Sequence, residues 1–261
     1  MSAARRVEVC TVMGTVASAH VIGVPDAGAW ARATRGCFDV LHRADRVFSL
    51  YDEESDVRRI ARGELRLADA DPWVVEIEDA CDGAELETRG LFSAHLGGVF
   101  DPTGYVKGWA TELALREHLA PLLSDPGVRA VGLDAGGDLQ VLTAADADWT
   151  WNIGIVDPAD RTRLLATVPV RNGAVATSGS AERGAHIIDP RTGHAATGIR
   201  SATVIADSLA RADVWATAAV VAGAGDLNWL AHATSTSGLL VDEAGGIRRW
   251  IEGVTVEVQP A

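Results

Sequence analysis

Cysteine is scarce in this chain. Its 261 residues hold three, Cys10, Cys37 and Cys81, at unrelated spacings and with no CxxC. An odd count of that kind excludes a disulfide framework and reads as buried or free thiols in a reducing compartment. Positive charge is also short. There are 23 Lys and Arg against 36 Asp and Glu, a formal net charge of −13. A surface built for nucleic acid or an anionic membrane needs clustered basic residues, so neither is expected as a partner. Long apolar runs are missing too. No uncharged stretch reaches the roughly 18 residues of a membrane span. The start, MSAARRVEVCTVMGTV, lacks the continuous apolar core of a signal peptide. Internal repeats, low-complexity tracts and Ser/Gly linkers are absent from the sequence as well. The expectation is a cytoplasmic protein whose residues 1–261 form a single domain.

What is present is apolar and well patterned. Hydrophobic residues make up 48% of the chain, enough for a sizeable core. RRVEVCTVMGTVASAHVIGV alternates and predicts a strand pair around Gly14. Apolar residues from Trp30 to Val47 recur at helical spacing behind Asp26, a good N-cap. DEESDVRRIARGEL predicts a loop and a short helix. DPWVVEIEDACDGAELETRG predicts a helix with Pro72 in its first turn and Gly90 at its end. A loop then leads into a helix over 105–119. VRAVGLDAGGDLQVLTA predicts two strands around DAGGD, and WTWNIGIVDP and LLATVPVRNGAVATSGS predict more. HIIDPRTGHAATG, punctuated by Pro and Gly, reads as a loop. SLARADVWATAAVVAGAG is an apolar helix stopped by glycine, and SGLLVDEAGGIRRWIEGV a closing hairpin. The fold class expected is α+β, with helices packed on mostly antiparallel sheets.

Three stretches carry candidate chemistry. In GGVFDPTGYVKGWA a lone lysine, Lys107, and Asp101 are the only charges between Gly97 and Thr111. Thr103 and Gly104 stand where a helix begins, and helix N-termini and close backbone approach suit phosphate. The plain alternative is a capped helix with a solvated Lys. In RADVWATAAVV, Asp213 and Thr217 are four apart and share a helix face among Ala, Val and Trp. A carboxylate and a hydroxyl are hard donors suited to Mg²⁺. The alternative is a solvent-facing Asp and a Thr bonded back to its own helix. In ATSGSAERGAHIIDPRTG, His186 has the pKa range of a base or phosphate ligand. Its alternative role is a structural bond to the turn at Asp189. Thr177, Ser178 and Ser180 add hydroxyls, but TSGSA is not a G-x-S-x-G elbow. The glycines of DAGGD permit close approach, with Asp138 a turn cap. Tyr51 suits either stacking on a planar ring or the core.

The order of these motifs is informative. MGT, S-x-Y-D-x-x-S-D, D-P-x-G-x-x-K-G-x-A, G-G-D, A-T-S-G-S-x-E-R, H-I-I-D-P-R-T-G and A-D-x-x-A-T-A, from Met13 to about Gly223, resemble the ApbE-like family of FAD:protein FMN transferases. The resemblance implies an α+β fold with the nucleotide in a cleft. It implies Mg²⁺-dependent splitting of FAD, transfer of FMN to a Thr or Ser of an acceptor protein, and release of AMP. It puts metal ligands at Asp213, Thr217 and the Gly104 carbonyl, FAD contacts at Asp101 and Lys107, and flavin or adenine pocket positions at Met13 and Tyr51. It implies backbone contact at Ile188 and a catalytic His186. Where relatives carry G-x-F-D, this chain keeps Phe92 but has Ser93 in place of the carboxylate, which bears on adenine or ribose recognition. Many relatives are exported lipoproteins, so the missing leader implies a cytoplasmic acceptor. The same residues would serve an FAD pyrophosphatase yielding FMN and AMP, and a non-catalytic flavin binder is the third possibility.

Overall fold

The computed structural model describes residues 4–179, 187–252 and 254–256, the last three by backbone alone. Strands β1 (Arg5–Val12) and β2 (Thr15–Gly23) form the expected pair. Their turn holds Met13 at φ 51 and Gly14 at φ 67. Two successive positive φ values make a tight hairpin turn whose twist suits the flanking strands. Helix α1 (Ala27–Phe48) follows, capped by Asp26, whose carboxylate accepts from the Ala29 N–H. Its buried stripe, from Trp30 through Cys37, Leu41 and Ala44 to Phe48, keeps the spacing read from the sequence. Helix α2 (Asp56–Ala61) is short and capped by Ser55, and α3 (Trp73–Thr88) begins directly after Pro72.

The stretch after α3 is more ordered than a loop. Strands β3 (His95–Leu96) and β4 (Val99–Phe100) form a small hairpin across Gly97 and Gly98, both at positive φ. Helix α4 (Thr103–Ala114) starts two residues earlier than the pattern predicts, and a π-turn over Leu115–Leu119 completes its expected length. Strands β5 (Val128–Ala135) and β6 (Asp138–Thr143) flank the Gly136–Gly137 turn. Strands β7 (Trp151–Val156) and β8 (Leu164–Val170) pair as a separate ribbon. Strand β9 (Gly173–Gly179) comes next. The HIIDPRTGHAATG stretch is not all loop. Strands β10 (Ile188–Asp189) and β11 (His194–Ala195) pair within it. Strand β12 (Ile199–Ala206), helix α5 (Leu209–Ala222), and strands β13 (Ser237–Asp242), β14 (Ile247–Ile251) and β15 (Val254–Val256) complete the chain. The closing hairpin thus gains a third strand.

One nine-stranded antiparallel sheet organises these elements, in the order β1-β2-β5-β6-β9-β12-β13-β14-β15. Because strand side chains alternate, central strands such as β2, β5, β9 and β12 contribute to two cores. On one face Ala17, Ala19, Val131 and Leu133 pack under α1, α3 and α4, and Ala174, Ala176, Ala202 and Val204 pack under α5. On the other face Ile22, Ala130, Val141 and Val175 meet Trp151 and Val170 of the β7–β8 ribbon. The result is three layers, helices over sheet over ribbon, and bears out the α+β reading. The cysteines are free thiols, with Cys37 and Cys81 buried and pushed up to about 12 by that burial.

Candidate active site

Helices α4 and α5 cross closely. Gly108 of α4 lies against the backbone of α5: a Cβ there would stand 2.8 Å from the Leu209 carbonyl oxygen. Four residues on, Glu112 reaches the start of α5. Its Oε2 accepts from Ser208 Oγ at 2.7 Å, Leu209 N at 2.9 Å and Ala210 N at 3.3 Å. A carboxylate at a helix N-terminus satisfies orphan N–H groups and opposes the positive end of the dipole. These two contacts fix the register between the helices.

That register brings the site together. Lys107, one residue before Gly108, places Nζ 3.0 Å from Asp213 Oδ2 and also pairs with Asp138 Oδ2. Asp213 is 4% exposed and Asp138 is 3% exposed. Burial at that level is costly for a carboxylate without a partner. The solvent-facing Asp and solvated Lys are therefore overturned as readings. Asp138 does more than cap the Gly136–Gly137 turn. Its Oδ1 accepts from the Thr177 N–H at 2.9 Å, so it bridges the ends of β6 and β9 to Lys107. Thr217, one turn after Asp213, bonds through its hydroxyl to Ser178 Oγ at 3.1 Å. Thr177 in turn bonds to Thr203 at 2.8 Å.

Above this floor is a cleft of about 180 Å³. Asp101, Thr103, Gly104 and Lys107 line it from α4 and its entrance. Asp101 Oδ1 accepts from both the N–H and the hydroxyl of Thr103, at 3.0 and 2.6 Å, and so shapes the start of the helix. Phe92 and Ser93 line another wall, with Phe92 Cε2 3.2 Å from the place a Cβ would take on Gly104. Ser93 Oγ accepts from the His95 N–H at 3.1 Å, holding the entry to the β3–β4 hairpin. Ile188 and Pro190 close a third side. Asp189 between them points into its own turn, where it pairs with Arg191 at 2.9 Å and is held below the usual carboxylate range by it. Arg191 also donates to the Val221 carbonyl at 3.1 Å, tying the turn to the end of α5.

Eight of the site positions implied by the resemblance thus share one cleft, Phe92, Ser93, Asp101, Gly104, Lys107, Ile188, Asp213 and Thr217, and Thr103, Asp138, Thr177 and Ser178 line it with them. Met13 and Tyr51 do not line it. Met13 sits in the β1–β2 turn, its N–H donating to Asp45 at 3.1 Å, while Thr15, two residues on, does reach the cleft. Tyr51 is 95% exposed, which removes the core-tyrosine alternative. His186 and Ser180 lie outside the described residues. Asp138 and Glu112 were not foreseen in these roles. The clue to Asp138 was the G-G-D turn itself; nothing in the local pattern marks Glu112.

The donor chemistry fits a hard divalent cation. Two buried carboxylates share one ammonium, which leaves the floor with a net negative charge, and the Thr217 hydroxyl adds a neutral oxygen. Among the described residues no three His, Cys, Asp or Glu side chains gather as a complete metal cage. Mg²⁺ characteristically takes one or two carboxylates and completes its shell with water and phosphate oxygens.

The ApbE family model matches residues 96–240, from the β3–β4 hairpin to β13, and takes in Asp101, Gly104, Lys107, Ile188, Asp213 and Thr217 of the cleft. The chain belongs to the ApbE family. Among curated relatives, the FAD:protein FMN transferase of Rhodobacter capsulatus is 37% identical over 135 residues, 48% of this chain and 24% of that protein. The FAD:protein FMN transferase of Klebsiella pneumoniae (strain 342) is 29% identical over 146 residues, 52% of this chain and 42% of that one. The chain therefore matches less than half the length of these relatives. The fold likeness is more extensive. The crystal structure of the ApbE protein of Thermotoga maritima superposes with a TM-score of 0.81 at 22% identity, over 94% of this chain and 97% of that one. Flavin transferase ApbE from Vibrio cholerae gives 0.69 at 17% identity, over 95% and 97%.

Proposed function

We propose that this ApbE-family chain transfers FMN from FAD to a Thr or Ser hydroxyl of an acceptor protein, with Mg²⁺ bound at Asp213, Thr217 and the Gly104 carbonyl. The observation that carries the reading is the cleft floor. Lys107 is held between two buried carboxylates, beside the hydroxyls of Thr177 and Ser178 on β9 and the start of α4. Such a floor suits a ligand that brings its own anionic oxygens and a cation, as a pyrophosphate does. Names of the curated relatives support the same substrate.

In the proposed reaction the acceptor oxygen forms a bond to the FMN-side phosphorus. The pyrophosphate P–O bond breaks, and AMP leaves with its electron pair. Bound Mg²⁺ would offset phosphate charge as a Lewis acid. Lys107 neutralises phosphate oxygens as a point charge. Asp101 shapes the start of α4 beneath the ligand, and Phe92 supplies an apolar wall. His186 is the group proposed to take the hydroxyl proton. Met13 and Tyr51, outside the cleft, are proposed to cover the ring systems from its rim. The acceptor is proposed to share the cytoplasmic compartment expected of this chain.

The test is incubation with FAD and a candidate acceptor carrying an exposed Thr, with and without Mg²⁺, following nucleotide products and acceptor mass. FMN mass gained by the acceptor only with Mg²⁺, with matching AMP, is the expected result. Free FMN and AMP without gained mass would replace transferase by pyrophosphatase. FAD bound but intact would leave only a flavin binder, the reading that Ser93 in place of a carboxylate favours.

A further inference from the structure

Lys107 is the only lysine in the chain. The other 22 of its 23 Lys and Arg residues are arginine. The lone ammonium sits at the most buried acidic point of the described fold, 3.0 Å from Asp213 and paired with Asp138. A guanidinium is planar and spends its donors in a fixed fork, whereas an ammonium is a compact charge on a flexible stem. It can move between two carboxylates by turning its last torsions. We propose that Lys107 is the resident counter-ion of the cation site. In this arrangement it neutralises Asp213 until a divalent ion arrives, then withdraws onto Asp138 and faces the nucleotide phosphates. Asp138 is the positioning residue that receives it.

The proposal rests on the reading of Asp213 as a metal ligand and adds an exchange to it. Charge supports the exchange. Asp138 and Asp213 with one ammonium carry a net −1. Adding a divalent cation turns that to +1 and prepares the floor for an anionic ligand. An ammonium and a metal ion cannot share the same carboxylate oxygen at contact distance, because like charges a few ångströms apart repel strongly in a buried site. Asp138 is built to hold its end. Its second oxygen is fixed by the Thr177 N–H at 2.9 Å, and its strand is locked to β5 and β9. Its oxygens are therefore directed by the sheet, while Asp213 is directed by α5.

The experiment measures Mn²⁺ affinity by calorimetry and by the spin signal of free Mn²⁺, on the full chain without nucleotide. Lys107→Met, with Lys107→Gln as a second neutral variant should the first fold poorly, removes the competitor. Expected is binding tighter than wild type by more than about tenfold, the size of one well-placed buried charge pair. Asp138→Asn leaves Lys107 only Asp213 to hold, so Mn²⁺ should bind more weakly than to wild type. In the double variant Lys107→Met/Asp138→Asn the Asn change should lose most of that effect, since Asp138 acts through Lys107. A second readout needs no variant. A chain labelled with ¹³C,¹⁵N-lysine gives one side-chain signal, which should shift on addition of Mg²⁺.

Unchanged or weaker Mn²⁺ binding in both neutral variants, where wild type binds, overturns the exchange and leaves the metal reading standing. An Asn effect of full size in the Lys107→Met background also overturns it, and makes Asp138 a direct ligand. If neither wild type nor the neutral variants bind Mn²⁺, and Asp213→Ala changes nothing, the metal reading itself falls and the exchange with it.

Discussion

Asp213 has a role that its neighbours make testable. Buried among Ala212, Val214 and Ala216, it is balanced by an ammonium it shares. Replacing it with alanine leaves Lys107 paired to Asp138, so the variant should keep its secondary structure and melt cooperatively. If Asp213 holds Mg²⁺ as proposed, Mg²⁺-dependent cleavage of FAD should fall by at least about 100-fold, as removal of a metal ligand's charge from a phosphoryl-transfer site implies. Steady-state product analysis checks this, and unimpaired cleavage would remove Asp213 from the metal site. On the same proposal, Ser93→Asp supplies the carboxylate that the resemblance implies at this position and should lower the dissociation constant for FAD several-fold, measured by flavin fluorescence. A third residue controls stability against acid. His20 is buried, with Arg5 donating to its Nδ1 at 3.0 Å and Ser18 Oγ 2.8 Å from Nε2. A guanidinium only donates, so Nδ1 accepts and Nε2 carries the proton. Burial first, and then Arg5, lower its pKa from 6.5 to about 4. Between those values the unfolded chain binds more protons than the folded one. Stability should therefore fall as pH drops from 6.5 toward 4, by on the order of 3 kcal/mol. Denaturant titrations across that window should show the slope, and His20→Gln should flatten it. The residues legible beforehand were those whose type and setting disagree, such as a carboxylate on an apolar helix. Asp138 and Glu112 were less legible because their roles come from partners 31 and 96 positions away in the chain.

At the scale of elements, the helices and long strands were readable because burial on one face imposes a period. Asp26, Ser55 and Ser208 mark their helix starts with the oxygens that N-caps require. The two-residue strands were not readable. β3–β4 and β10–β11 are too short to show alternation, and β15 follows β14 after only two residues. The Gly97–Gly98 pair was nevertheless a hairpin signal, two adjacent glycines between His95–Leu96 and Val99–Phe100. The α4–α5 crossing yields the sharpest prediction at this scale. Gly108→Ala places a methyl 2.8 Å from a backbone oxygen that cannot turn aside. The helices must separate, at a cost of about 1–3 kcal/mol. Chemical denaturation should show a lower midpoint at unchanged slope. Because Lys107 and Asp213 lie on the two helices that part, Mn²⁺ affinity should change as well, while substitution at an exposed glycine such as Gly83 should leave it alone.

For the whole molecule, the continuous sheet matters more than any layer. Strands β2, β5, β9 and β12 feed the helix face and the ribbon face at once, so neither core can open while the other stays closed. Far-UV and near-UV transitions in denaturant should therefore coincide. Separate transitions would divide the chain into independently folding parts. Composition set the class of this fold early, because scarce cysteine and long alternating strands leave the core to hydrophobic burial. The order of strands in the sheet was not available from composition or period. It depends on which edges meet, as when β9, arriving after the ribbon, inserts beside β6.

The same core contains an optical device. Trp215 stacks on Trp229 with centroids 5.8 Å apart, and Trp229 meets Trp250 edge-on at 5.3 Å. Trp215 lies two residues from Asp213 and two from Thr217 on α5. Indoles this close exchange excitation, so their circular dichroism near 230 nm carries a paired positive and negative band set by their mutual angle. Any ligand that tilts α5 must change that couplet. Trp215→Phe, compared with wild type, should isolate that couplet from the Trp73–Trp109 and Trp149–Trp151 pairs, so that α5 can be followed in plain ultraviolet light with no label attached.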